Sequence, residues 1–238
     1  MRLDKLLANM GIGSRKEVKE LIKKKSVSVN GKIIKSNLSI DPEFDRIECN
    51  GQVVEYQKYV YFMLHKPSGY LSATRDQEQK TVLDLLKTED QARSPFPVGR
   101  LDKNTEGLLL LTNDGQLAHE LLSPKKHVDK TYFAKISGFV TENDVAEFLQ
   151  GVDIGDYITK PAKLKILKVE EVSEIEVTIT EGKFHQVKRM FEAVGKEVLY
   201  LKRLTMGSLE LDPTLKLGGQ YRALTDQEIQ NILEETKG

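Results

Sequence analysis

Strand-like and helical segments follow one another in an irregular order over most of the chain. Apolar and β-branched runs predict strands at residues 59–64, 108–112, 131–137, 163–169, 174–180 and 198–204. Apolar residues spaced along one helix face occur at residues 116–122, 141–149, 185–194 and 225–234. Because a doubly wound parallel sheet requires strands and helices to alternate, this order predicts an α+β fold instead. We expect a mostly antiparallel or mixed sheet flanked by helices.

The charge of the chain is unevenly distributed. Over all 238 residues, 36 Lys and Arg residues balance 36 Asp and Glu residues. Residues 1–40, however, contain ten Lys and Arg residues against three Asp and Glu residues, a balance of +7 that leaves −7 for the remainder. So much positive charge on a short segment favours contact with phosphates over a merely solvated surface.

The basic segment also has the pattern of a small folded domain. Leucines at positions 3, 6 and 7 predict one short helix, and Ser14 with Glu17 forms a capping box that predicts the start of a second. Asn-Gly pairs at residues 30–31 and 50–51 each predict a β-hairpin. We therefore predict a small ααβ domain over residues 1–57 and a larger domain over residues 58–238.

Composition and residue spacing argue against several other classes of protein. Cys49 is the only cysteine, so a disulfide framework is excluded and a reducing compartment is expected. The longest apolar run, residues 108–111, is too short to span a bilayer, and no secretory apolar region follows the first residues. The four histidines lack metal-ligand spacing, and no Gly-rich phosphate loop stands out. We predict a cytoplasmic protein without metal or cofactor.

Residues 99–115, which read GRLDKNTEGLLLLTNDG, strongly resemble the catalytic motif of the pseudouridine synthases. In that motif an aspartate on a loop precedes a buried apolar strand, so the loop can direct one carboxylate into a cleft while the strand anchors it. An isolated aspartate is more often a structural turn residue, but the length of the match reverses that preference. The resemblance implies that Asp102 is catalytic and that Arg100 contacts RNA.

Two further segments are similar to other motifs of the same enzymes and lie in the expected order. Residues 66–71, KPSGYL, are similar to the family's first motif, which implies a role in shaping the cleft. Residues 130–132, KTY, are similar to the motif whose tyrosine packs against the target base. This resemblance implies that role for Tyr132, although a single tyrosine on a strand is more often a core residue.

The segment EGKFHQVKRM, residues 181–190, resembles the motif that supplies a cation to the catalytic aspartate and an apolar residue below the base. Most of these enzymes have arginine where this chain has lysine, and the small-subunit ribosomal RNA branch accepts lysine there. Lysine provides a point charge instead of a bidentate fork. The resemblance implies Lys188 as the first choice of partner for Asp102, Arg189 as the second, and Val187 as the apolar residue.

The N-terminal segment resembles the S4 RNA-binding domain, on the residues MRLDK at 1–5, SR at 14–15 and VNG at 29–31. Both resemblances together cover nearly the whole chain and indicate the RsuA family of pseudouridine synthases. The RNA contacts that the S4 resemblance implies are Arg2, Lys5, Ser14, Arg15, Lys16, Lys19 and Asn30.

The RsuA resemblance implies a specific reaction and partner. The expected activity is isomerisation of a uridine in 16S ribosomal RNA, the one conventionally numbered 516, by a monomer that needs no cofactor and binds no membrane. Free ribosomal RNA and an assembling ribosomal particle both remain open as substrates. Asp102 could attack C1′ of the ribose or remove the 2′ proton, and the sequence does not choose between these routes.

Three other interpretations compete with this one. A large-subunit 23S ribosomal RNA synthase of the same family would share fold and chemistry and differ in target. A non-catalytic S4-type ribosome-assembly factor would have lost at least one of Asp102, Tyr132 and the basic pair at 188–189. An aspartate-based hydrolase would need Asp102 and Asp114 in one cleft, and an extended strand at 108–111 would separate them.

Overall fold

The computed structural model describes residues 1–237 and divides into two compact units. One consists of Met1–Val60 with Leu86–Pro95, and the other of Tyr61–Leu85 with the chain from Phe96 onward. Residues 86–95 fall within the predicted larger domain, but in the structure they pack with the smaller unit. No helix within residues 1–237 is long and apolar enough to cross a bilayer.

The smaller unit contains three helices and a four-stranded antiparallel sheet. Its elements are α1 (Leu3–Asn9), α2 (Arg15–Lys23), β1 (Val27–Val29), β2 (Lys32–Ile33), β3 (Ile47–Cys49), β4 (Gln52–Val53) and α3 (Thr88–Ala92). The strands are ordered β2-β1-β3-β4. Leu3, Leu6 and Leu7 of α1 are fully buried in its core. Cys49, which the sequence places in a polar stretch, is also buried in that core.

Local signals set the helix start and the turns of this unit. The predicted capping box is confirmed, because Ser14 Oγ accepts from the Glu17 amide at 3.3 Å and Glu17 Oε2 accepts from the Ser14 amide at 2.7 Å. Both Asn-Gly hairpins are confirmed as well. Asn30 and Gly31 have φ angles of 51° and 74°, as a tight hairpin turn requires.

The larger unit is built on one nine-stranded sheet. Its strands are β5 (Tyr61–Lys66), β6 (Phe96–Pro97), β7 (Glu106–Thr112), β8 (Lys130–Ser137), β9 (Lys163–Lys168), β10 (Val172–Ile179), β11 (Glu197–Met206), β12 (Leu209–Glu210) and β13 (Tyr221–Ala223). Its helices are α4 (Gly115–Leu122), α5 (Glu142–Gln150), α6 (Gln186–Ala193) and α7 (Asp226–Glu235), with a 3₁₀ turn at Val82–Leu85.

The sheet order is β13-β5-β7-β11-β8-β10-β9, with β6 beside β7 and β12 beside β11. Every one of these pairs is antiparallel except β7 with β11, which run parallel. The predicted α+β fold with a mostly antiparallel sheet is therefore confirmed.

Strand β7 lies inside this sheet and carries the apolar run seen in the sequence. The four leucines of that run are fully buried, so the strand is packed on both faces. At its start, Gly107 has a φ of 103°, and a Cβ there would overlap the backbone of Arg203 on β11. A glycine is thus required where β7 meets β11, and the loop before β7 ends at a tightly fixed point.

Candidate active site

Asp102 lies on the loop that connects β6 to β7. Its neighbour Leu101 is buried, and both its backbone amide and its carbonyl bond the Ser72 hydroxyl, at 3.0 and 2.8 Å. The amide of buried Thr105 donates to the Asp102 carbonyl at 3.0 Å. The loop is therefore held on both sides, while the Asp102 side chain stays 24% exposed.

A buried lysine binds the backbone of the same loop. Lys66, at the end of β5, is fully buried, and its Nζ donates to the carbonyl oxygens of Pro67, Asp102, Lys103 and Thr105 at 2.8 to 3.1 Å. Burial lowers the pKa of Lys66 to about 8, against the opposing effect of nearby carboxylates. Three of the four carbonyls belong to the loop, so Lys66 fixes the backbone on which the Asp102 carboxylate is mounted.

Two cationic or potentially cationic side chains from the start of α6 face the Asp102 carboxylate. Lys188 Nζ lies 3.4 Å from Oδ2, and His185 Nε2 lies 3.6 Å from Oδ1. Arg189 points elsewhere, donating to the Ile154 carbonyl at 2.7 Å and pairing with the Asp156 carboxylate. Of the two candidates from sequence, the structure brings Lys188 to the aspartate.

The same carboxylate borders an open cleft with mixed polar and apolar walls. Tyr132 on β8 and Val187 on α6 are buried residues of its wall, and Arg100 is an exposed residue of its wall. The cleft residues are Arg100, Leu101, Asp102, Thr105, Tyr132, Ile179, Gly182, Lys183, His185, Gln186, Val187, Lys188 and Leu201. An aromatic ring and aliphatic side chains beside one carboxylate suit a flat base attached to a sugar.

A buried carboxylate fixes the start of α6, and with it one wall of the cleft. Glu181 Oε1 accepts from Gln186 Nε2 and from the Lys160 amide, each at 2.9 Å, and Oε2 accepts from the Tyr157 hydroxyl at 2.6 Å. Gln186 in turn accepts from the Lys183 amide at 2.9 Å. These bonds set the position of the helical turn that carries the cleft residues of α6.

Asp114, the second carboxylate of the hydrolase interpretation, has a structural role. Its Oδ1 accepts from the amides of Gln116 and Leu117 at 3.1 Å and caps α4, while Oδ2 accepts from the Tyr61 hydroxyl at 2.9 Å. It is not among the cleft residues named above. In the part of the chain that the structure describes, no group of three His, Cys, Asp or Glu side chains could hold a metal ion.

The residues predicted to contact RNA through the S4-like unit are all on its surface. Exposed positions on or beside α1 and α2 are taken by Arg2, Lys5, Ser14, Arg15, Lys16 and Lys19. Asn30 is exposed as well, and its side chain donates to Asp45 at 2.8 Å and accepts from the Arg46 amide at 2.9 Å. The structure thus places Asn30 in a turn-stabilising network of the unit.

Two residues beside Asp102 or its loop, Lys66 and His185, were not among the predicted site residues. Lys66 is part of the predicted segment KPSGYL, and His185 is part of the predicted segment EGKFHQVKRM, but neither was predicted to contact Asp102 or its loop. The available signals were indirect: a lysine ending an otherwise apolar strand, and a histidine inside the segment at 181–190. Neither signal specifies which carbonyl groups the lysine will bind or which carboxylate the histidine will contact.

Comparison with known families agrees with this site. Residues 60–193 match the family described as RNA pseudouridylate synthase, and residues 1–43 match the S4 domain. The chain therefore belongs to the RNA pseudouridylate synthase family, in the RsuA-type arrangement of an S4 domain followed by a synthase domain. The predicted enzyme class, an isomerase, is confirmed.

Full-length relatives place the chain more closely. It is 52% identical over 237 residues to the uncharacterized RNA pseudouridine synthase YtzG of Bacillus subtilis (strain 168), with 98% of this chain and 99% of the relative covered. Ribosomal large subunit pseudouridine synthase B of the same organism is 42% identical, with 97% and 95% covered. Ribosomal small subunit pseudouridine synthase A of Escherichia coli (strain K12) is 38% identical, with 98% and 100% covered.

A solved structure extends the likeness to the fold. A crystal structure of a pseudouridylate synthase matches with a TM-score of 0.68 at 37% identity, covering 98% of this chain and 99% of that one. Because relatives named for both ribosomal subunits are similar over their full length, family membership does not by itself specify the target RNA.

Proposed function

We propose that this protein converts a uridine of small-subunit ribosomal RNA, position 516, to pseudouridine with Asp102 as the catalytic carboxylate. The observation that carries the proposal is the single carboxylate on a fixed loop, with Lys188 Nζ at 3.4 Å and the cleft walls of Tyr132 and Val187 beside it. The S4 domain supplies a separate surface for gripping structured RNA.

The reaction needs only what this cleft contains. The bond between ribose C1′ and uracil N1 breaks, the base turns, and a new bond forms from C1′ to C5. The C5 hydrogen then leaves as a proton and N1 takes up a proton, so that nothing is oxidised or hydrolysed overall. An ionised Asp102 serves either as the nucleophile on C1′ or as the base for the 2′ proton. The ammonium of Lys188 stabilises the negative charge on the carboxylate in both routes.

The apolar walls account for how the base is held. A uridine inside a structured RNA must leave its stack, which costs a few kcal/mol. Packing between the Tyr132 ring and Val187 recovers part of that cost, since base–aromatic stacking contributes about 1–3 kcal/mol. The same walls restrain the detached uracil while it turns.

Two observations bear on the target. Lysine at position 188, where the resemblance finds arginine in most of these enzymes, favours the small-subunit branch. The 42% identity to a relative named for the large subunit favours a 23S RNA target instead, so a 23S uridine is the second candidate. We propose that a monomer acts on its RNA target.

Release of the C5 hydrogen decides between these targets. Purified protein is incubated with 16S and 23S RNA carrying tritium at uridine C5, each as free RNA and as an assembling particle. The expected result is release from small-subunit RNA, with the new pseudouridine mapped to position 516. Small-subunit RNA from cells in which the gene is deleted should lack that pseudouridine. Release from 23S RNA alone would assign the second candidate, and release from neither would refute the proposal.

The S4 unit is expected to supply much of the phosphate contact. Changing Arg15, Lys16 and Lys19 together to Gln removes three exposed charges from α2. The negative slope of log affinity against log salt should therefore become shallower by about 2 to 3. Binding titrations over a range of salt measure this slope. The matched control changes Lys163, Lys165 and Lys168 of the edge strand β9 to Gln and should leave the slope close to wild type. Equal slopes for both variants would contradict an RNA-binding role for α2.

A further inference from the structure

Phe184 is a large aromatic residue held in an exposed position beside the cleft. It is 76% exposed, although the residues that follow it on α6, Gln186 and Val187, are buried. Exposure of a single apolar side chain is ordinary on a protein surface. What distinguishes Phe184 is its position and its partner.

The partner is the ring of His185. The two ring centroids lie 3.8 Å apart with an interplanar angle of 17°, which is a parallel stack. His185 reaches this arrangement with a φ of 50°, a left-handed conformation that residues other than glycine seldom adopt. The stack places one face of the phenylalanine against the histidine, and its high exposure leaves the other face open to solvent.

The histidine behind Phe184 belongs to the catalytic surroundings. His185 lines the cleft, and its Nε2 lies 3.6 Å from Asp102 Oδ1. The open face of Phe184 therefore lies just outside the cleft, on the side of the ring that faces away from His185. Lys183 and Lys188 of the same segment also line the cleft, which gives the surroundings of the ring positive charge suited to an RNA backbone.

RNA with a flipped uridine presents a matching partner. When the target uridine leaves its stack, each adjacent base keeps a flat face that no longer has a stacking partner. An aromatic ring can take that place, because every base has a flat face and stacking does not depend on base identity. The phenylalanine has the shape and the location that such a replacement requires.

We propose that the open face of the Phe184 ring is a stacking platform for a base next to the target uridine, supported from behind by the His185 ring. This inference rests on the proposed function and adds a contact for the substrate outside the cleft. The platform contributes mainly to RNA binding, since it does not touch the reacting atoms.

The chain contains no tryptophan, so Phe184→Trp introduces a single tryptophan, whose fluorescence can be excited selectively over that of the tyrosines. The variant is combined with Asp102→Asn, so that the RNA stays unmodified, and is titrated with a fragment of the RNA that the wild-type protein modifies. Stacking on a base should quench the tryptophan, and an abasic nucleotide on one side of the target should remove that quenching. The control is Phe139→Trp in the same background, at a position 59% exposed on another loop, where little quenching is expected.

Kinetics provide a second measurement. Phe184→Ala should lower kcat/KM for the RNA about 10-fold, mostly through KM, as expected for loss of one stacked base. Phe184→Leu should lose a similar factor because it keeps apolar bulk without a ring, and Phe184→Tyr should stay near wild type. Phe139→Ala should leave both constants unchanged.

The outcomes distinguish failure of the stacking platform from failure of the proposed function. If wild-type protein releases no C5 hydrogen from ribosomal RNA, the proposed function fails. If it does, but the fluorescence of the Phe184→Trp variant is unquenched, or quenched equally with abasic neighbours, the platform is wrong while the function stands. Wild-type kinetics for Phe184→Ala would overturn the platform in the same way.

Discussion

Asp102→Asn is expected to lower the rate of pseudouridine formation by about 10⁴-fold or more while leaving RNA affinity within about threefold of wild type. The amide has the shape of the carboxylate but is neither a nucleophile toward C1′ nor a base for the 2′ proton. The loop backbone, held by Ser72, Thr105 and Lys66, does not depend on that side chain. The measurements are single-turnover release of the C5 hydrogen and direct RNA binding.

Asp114→Asn is the matched control, since the same motif contains it. Asp114 caps α4, and asparagine is an equally good N-cap residue, so stability should change by less than about 1 kcal/mol. Activity per folded molecule should stay near wild type. Residual activity of Asp102→Asn near the starting level, or an equal loss in the control, would remove Asp102 from the catalytic role.

Elements defined by local pattern were predictable from the sequence. The capping box at Ser14 begins α2 as predicted, and the helix predicted over residues 225–234 begins with a capping box at Thr225. Both are local signals, since their hydrogen bonds join residues three positions apart. The buried strand β7 was predicted within two residues, because its apolar run leaves no other placement. The position of the S4-like unit at the start of the chain followed from its concentrated charge.

Features that depend on distant segments were not predictable in this way. The parallel pairing of β7 with β11 joins residues about a hundred positions apart, and the short strands β6, β12 and β13 exist only as partners of longer ones. In the site, the carbonyls that bind Lys66 come chiefly from a loop 36 to 39 residues away. Residue types alone cannot specify such contacts, although the motif at 181–190 correctly indicated where a cation for Asp102 would be found.

The second large effect is expected at Lys66. Lys66→Met keeps the apolar stem but removes the Nζ donor from four carbonyls. The carbonyls of Asp102 and Lys103 keep the amides of Thr105 and Gly69 as donors, whereas those of Pro67 and Thr105 lose the bond that the ammonium supplied. Since an unsatisfied buried acceptor costs about 1–3 kcal/mol, the free energy of unfolding should fall by about 3 kcal/mol or more. A shift of the loop by about 1 Å should also lower kcat about 100-fold in the molecules that remain folded. Urea unfolding and kcat per folded molecule measure the two effects.

Lys130→Met is the control that separates positioning of the loop from burial of a charge. Lys130 is also buried, desolvation also lowers its pKa to about 8, and its Nζ donates to the Val128 carbonyl at 2.8 Å. That carbonyl is not part of the Asp102 loop. The control should therefore lose stability with little loss of kcat, and an equal loss of kcat in both variants would contradict a specific role for Lys66.

The pH dependence of stability provides an independent check on the state of Lys66. Burial lowers its pKa to about 8 in the folded protein, whereas the unfolded chain titrates near 10.5. Between these values unfolding takes up a proton, so the stability of the wild-type protein relative to Lys66→Met should rise with pH, by at most about 1.4 kcal/mol per pH unit. This contribution is complete above pH 10.5 and is lost as the pH falls through 8. A difference between the two proteins that stays constant from pH 7.5 to 9.5 would show that the ammonium is not desolvated, and the fixed position of the loop would then need another explanation.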